Sequence, residues 1–135
     1  MRLVLVLLVA ALLTAVPRPA HAQIPIACTN AAVYDASTNG ATQLVAAIAN
    51  ARIYVCGYVI WSAATANVGL QSGTGTNCGT GTANLTPAYR MASTAGVGVT
   101  DGSVYRGLST PIGQALCINS SAGVAVQAMV YFVQY

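Results

Sequence analysis

The chain has 135 residues, of which only 5% are charged, with five Lys+Arg, two Asp+Glu and a formal net charge of +3. A length of this order holds one small domain with its own core, not two. Charge so sparse excludes a basic stripe for a nucleic-acid backbone, and the absence of lysine and glutamate removes most of the usual general bases.

The chain opens MRLVLVLLVAALLTAVPRPAHAQ, with a positive start at Arg2, an apolar run over residues 3–16, and the small-residue site Ala20-His21-Ala22 before Gln23. This is the layout of a secretory signal peptide over residues 1–22, leaving a single domain over residues 23–135. A membrane anchor needs about 20 consecutive apolar residues, and Pro17, Arg18 and Pro19 end this run early, so no transmembrane span is expected after cleavage. Cleavage also removes Arg2, Arg18 and the sole histidine, His21. What remains is Arg52, Arg90 and Arg106 against Asp35 and Asp101, a net of +1. The exported surface is then built of hydroxyls and amides, with little charge repulsion between copies, and association is expected.

Strand signals dominate from Thr42. "TQLVAAI" and "RIYVCGYVIWSAA" flank a short turn at residues 49–51 and predict a hairpin. The alanines of residues 41–51 allow a helix there, but Val45, Ile48 and the turn favour a strand. In the second run Tyr54, Cys56, Tyr58 and Ile60 share one parity and Ile53, Val55, Val59 and Trp61 the other, so each set is expected on one side of a sheet. "NVGLQS" predicts a third strand and "NLTPAYRMA" a fourth, irregular at Pro87. Residues 103–108, "ALCINS" and the closing "AGVAVQAMVYFVQY" predict further strands. About eight short strands with turns between them describe an all-β antiparallel sandwich or small barrel.

Cys28, Cys56, Cys78 and Cys117 all follow the leader and enter an oxidising compartment, where two disulfides are expected. Four cysteines allow three connectivities; the favoured one closes successive loops, Cys28 with Cys56 and Cys78 with Cys117. Zinc is disfavoured, because no cysteine pair has finger spacing and no histidine survives cleavage. The glycine-rich stretch SGTGTNCGTGTAN, residues 72–84, has the look of a phosphate cradle. A dinucleotide fingerprint needs a helix behind it, a P-loop needs a lysine, and a calcium loop needs several carboxylates. None is present, so the stretch is expected to be an exposed turn bent around a disulfide-bonded Cys78.

Asp35 and Asp101 are the only carboxylate side chains, and "VYDASTNG" and "VTDGSVY" look like turns. No catalytic, cofactor or metal residue is expected, with a small hydrolase using Asp35 and Asp101 as the remaining enzymatic alternative. Among the aromatic residues, Tyr58 and Trp61 are the candidate ligand contacts for a glycan, since an aromatic face beside amides and hydroxyls suits a sugar. The sequons at Asn84 and Asn119 matter only in a host that glycosylates them.

The ordered pieces "TQLVAAI", "RIYVCGYVIWSA", "LQSGTGTNCGTGTANLT" and "GQALCINSSAGVAVQAMVYFVQY" resemble the small single jelly-roll domains of tailed-phage virion proteins and their secreted bacterial relatives. The resemblance implies a β-sandwich of jelly-roll type and a structural or adhesive role, often oligomeric and without a cofactor. The export signal and the four cysteines depart from a virion protein and favour an exported relative. The expectation is a secreted, periplasmic or surface module whose partner is a second copy, another surface protein or a glycan.

Overall fold

The computed structural model describes residues 27–93, 95–100 and 108–135. The expected leader, Asp101 and residues 103–107 of an expected strand lie outside them. Nine strands occur among the described residues: β1 (Asn30–Ala36), β2 (Gly40–Val45), β3 (Ile53–Ser62), β4 (Ala66–Thr74), β5 (Thr80–Asn84), β6 (Tyr89–Met91), β7 (Ala95–Thr100), β8 (Ala115–Ser120) and β9 (Val126–Gln134).

Their pairing is nested and antiparallel: β1 with β9, β2 with β8, β3 with β7, and β4 with both β5 and β6. Two further pairings, β3 with β9 and β4 with β8, gather these rungs into a four-stranded sheet, β1-β9-β3-β7, and a five-stranded sheet, β2-β8-β4-β5 with β6 on β4. A long hairpin whose rungs fall alternately into two sheets is a jelly roll. The expected fold is therefore the observed one, with the strand beside β4 broken in two. The break at residues 85–88 comes where Pro87 cannot donate to a ladder. There Thr86 Oγ1 accepts from Leu70 N at 2.9 Å and keeps the neighbouring strand satisfied.

The core lies between the sheets and follows period-2 alternation. Val126, Ala128 and Val130 of β9, Leu116 and Ile118 of β8, and Val68 and Leu70 of β4 are buried together. Each buried valine, leucine or isoleucine of this kind contributes about 1.5–3 kcal/mol. Strand β3 breaks the alternation expected for it. Between Val55 and Gly57 its register against β9 shifts by one residue. The extra residue, Cys56, makes a bulge, and a bulge switches which parity points inward. Ile53 and Val55 are buried before it; Tyr58, Ile60 and Ser62 are buried after it.

Three local expectations change. β2 and β3 do not form a hairpin but lie in different sheets, because residues 46–52 carry the chain across the sandwich end, through Asn50 at φ 63°. The segment around Asp35, expected as a turn, is the edge strand β1 as far as Ala36, and the turn follows it, with the Tyr34 hydroxyl bonded to Thr38. The glycine stretch is mostly strand, since β4 runs to Thr74 and β5 begins at Thr80.

Thr110 is fully buried where the chain rejoins the sandwich. Its Oγ1 accepts from Ile53 N at 3.1 Å, and its own N–H donates to Ile53 O at 3.0 Å. Thr110→Val keeps the shape but leaves the Ile53 amide without its acceptor. The expected loss in a urea titration is about 1–3 kcal/mol; an unchanged midpoint would show that the amide finds another partner.

Candidate functional site

The outer faces of the two sheets are treated differently. On the five-stranded sheet the chain folds back on itself after Thr74. A turn of 3₁₀-helix at Thr76–Cys78, with positive φ at Gly75 (72°), Asn77 (51°) and Cys78 (56°), lays Cys78 onto the sheet. Cys78 is bonded to Cys117 of β8, and together with Ala115 these residues form a small buried cluster outside the main core. Gly73 lies directly beneath: a Cβ there would stand 2.8 Å from both Cβ and O of Cys78. Asn77 Oδ1 accepts from Gln43 N of β2 at 3.2 Å and fixes the far side of the loop. The bend around a disulfide-bonded Cys78 is thus present, but it covers a sheet face rather than standing clear of it. The second disulfide, Cys28–Cys56, ties the segment before β1 to the β3 bulge.

The outer face of the four-stranded sheet carries no such cover from the described residues. Register sets its side chains in rows across β1, β9 and β3. One row is Val33, Met129 and Val59, exposed by 72%, 38% and 44%. The next is Asp35, Gln127 and Trp61, continuing to Gly96 of β7. On the other side of the aliphatic row, Tyr131 stands 40% exposed between Ala31 and Gly57, which have no bulk to cover it. These two neighbouring rows border a shallow groove of about 490 Å³. Farther along the sheet, Tyr54 and Tyr135 stack with ring centroids 4.8 Å apart. The Tyr135 phenol is pushed up from its ordinary pKa, by desolvation first and then by the charge and hydrogen bond of Tyr54.

Opposite parity separates the two expected glycan contacts, which both follow the bulge and stand three residues apart in β3. Trp61 is on the outer face and half-buried. Tyr58 is 5% exposed and points into the sandwich, where its hydroxyl and that of Tyr89 share a hydrogen bond of 2.6 Å. Both tyrosines border a second, apolar cleft of about 220 Å³ with Val55, Leu85 and Pro87. Tyr58 and Trp61 therefore cannot act as one platform. What joins Trp61 instead is Gln127 and Asp35, the latter accepting from Gln127 Nε2 at 3.2 Å.

Asp35 is exposed on an edge strand, and Asp101 lies outside the described residues, so the proposed carboxylate pair is represented by one member. All four cysteines are in disulfides, and no cluster of metal-ligating side chains occurs among the described residues. Among the same residues no helix is long and apolar enough to cross a membrane.

Val33, Val59, Gln127 and Met129 were not singled out by the sequence. The available signal was the alternation Gln127, Met129, Tyr131 in the last strand, whose outward set is chemically mixed. Compared with known proteins, the chain matches no family model, no curated protein and no solved structure.

Proposed function

We propose that the chain is an exported, non-enzymatic interaction module, acting at the cell surface or in the periplasm, that binds through the outer face of its four-stranded sheet. The observation that carries this reading is the exposed aliphatic row Val33–Met129–Val59, flanked by Tyr131 and Trp61, on one sheet while a stapled loop covers the other. Apolar side chains gathered in one patch and rimmed by polar groups mark contact surfaces. Four cysteines in two disulfides suit an oxidising compartment. A structural or adhesive role is also what the resemblance to phage jelly-roll modules implies.

Val33→Asp with Val59→Asp tests it. Both side chains point away from the core, so the folded state should survive with nearly the same thermal midpoint. The variant is expected to lose retention in the cell-envelope fraction, together with any concentration-dependent self-association that the unmodified protein shows in sedimentation velocity. A control on the other sheet, Thr82→Asp in β5, should change neither. If the double variant matches the unmodified protein in both measurements, this face is not the working surface.

A further inference from the structure

Resting on that reading, we infer that the occupant of the face is a neutral glycan, held by the row Asp35–Gln127–Trp61. The three positions are consecutive across β1, β9 and β3 in the same register. Strands lie about 4.8 Å apart, so Asp35 and Trp61 are separated by about 10 Å with Gln127 between them. A disaccharide fits that span.

Each part of the row offers what a sugar needs. The indole of Trp61 has Gly96 as its cross-strand neighbour, and a Cβ built there would lie 3.5 Å from Trp61 Cδ1. With no side chain at that position, Gly96 puts nothing against Cδ1 of the half-buried indole, and the exposed part of the ring offers an apolar surface to the C–H face of a pyranose. Asp35 and Gln127 are both exposed and hydrogen-bonded to each other through one carboxylate oxygen and the amide nitrogen. That contact orients the pair and leaves acceptors on both side chains and a second amide N–H on Gln127. Sugar hydroxyls both donate and accept, so a vicinal pair matches this set.

Charge decides between classes of ligand. Among the described residues of these rows, the Asp35 carboxylate is the sole charged group. An anionic polymer is repelled by it, and a charged polypeptide finds one counter-charge and no more. A neutral polymer meets no penalty, and the adjoining Val33, Met129 and Val59 widen the apolar floor on which it lies.

Trp61 is the only tryptophan of the chain, so its fluorescence reports on this row alone. The folded, exported protein should be titrated with hexaoses of glucose, xylose, mannose and N-acetylglucosamine, and run in native gels containing the corresponding soluble polymers. At least one hexaose is expected to shift the emission saturably and its polymer to retard the band. Trp61→Ala should abolish retardation, and Asp35→Asn and Gln127→Ala should each weaken binding about ten-fold or more. Thr82→Asp should bind as the unmodified protein does.

The inference is overturned if no neutral hexaose moves the emission and no polymer retards the band, if Trp61→Ala is retarded as strongly as the unmodified protein, or if an anionic polymer is preferred. Should that happen while Val33→Asp with Val59→Asp still abolishes self-association, the interaction-module reading stands with a second copy as occupant. If that variant also changes nothing, both fall.

Discussion

Replacing Cys78 and Cys117 together by alanine is expected to lower stability by about 3–5 kcal/mol, the upper part of the range of about 2–5 kcal/mol for losing a native disulfide from a small domain. At this size that corresponds to a fall in Tm of roughly 10–20 °C. The comparison that gives the number meaning is the same change at Cys28 and Cys56. Those residues are 28 apart in sequence and Cys78 and Cys117 are 39 apart. Loop-closure entropy alone makes the second bond more stabilising by only about 0.3 kcal/mol. Cys78 and Cys117 do more than close a loop: they seal the β4–β5 turn over the outer face of the sheet and are themselves buried with Ala115. The loss there should therefore exceed the loss at Cys28–Cys56 by more than 1 kcal/mol. Limited proteolysis should find new cleavage at residues 75–81 in the variant. Equal losses from the two pairs, with the turn still protected, would show that the disulfide is not what holds it down.

The last strand was the most legible part of the fold: in "VQAMVY" Val126, Ala128 and Val130 are buried and alternate with exposed Gln127, Met129 and Tyr131, and this is β9. "ALCINS" is legible as a short apolar run, buried from Ala115 to Ile118, and is β8. Strand β3 has equally strong strand-forming residues, but its inward set could not be read, because one extra residue at Cys56 reverses parity half-way along. Gly57, which follows the bulge, was the sole local mark of it. The expected hairpin between β2 and β3 failed for a different reason. Sequence neighbours are the natural first guess for partners, whereas a jelly roll pairs β2 with β8. β1 was passed over because NAAVYDA is rich in alanine and weak in β propensity; its place is set by β9.

The site shows the same division. Trp61 was identified from its chemistry, and its partner was not. Tyr58 is three residues away in sequence and on the opposite side of the sheet, while Gln127 and Asp35 are distant in sequence and in the same row. A row across β1, β9 and β3 joins strands that are first, last and third in the chain. No pattern within one segment encodes it; it follows from the register of three strands, and register is a property of the closed sandwich. The glycine stretch makes the complementary point. Its composition did announce unusual backbone angles, and Gly75 and Gly81 do take positive φ. What composition could not announce is that Gly73 is needed for space rather than for conformation.

That need gives a prediction with a sign change in it. Gly73→Ala places a Cβ 2.8 Å from Cys78 Cβ and 2.8 Å from Cys78 O, and neither side can give way easily. Gly73 is held in β4 by its pairing with β8, and Cys78 is held by its bond to Cys117. In the intact protein the substitution should cost about 1–3 kcal/mol, the usual penalty for overpacking. Gly73 has no positive φ, so alanine suits its backbone, and alanine in a strand interior is otherwise favoured over glycine by roughly 0.5–1 kcal/mol. Once Cys78→Ala and Cys117→Ala release the turn, it can lift off the added methyl. In that background Gly73→Ala should be neutral or stabilising. A double-mutant cycle by urea denaturation should then give a coupling of about 1–3 kcal/mol between position 73 and the disulfide. If Gly73→Ala costs the same in both backgrounds, the stapled turn is not what excludes a side chain there, and the glycine must be serving the strand itself.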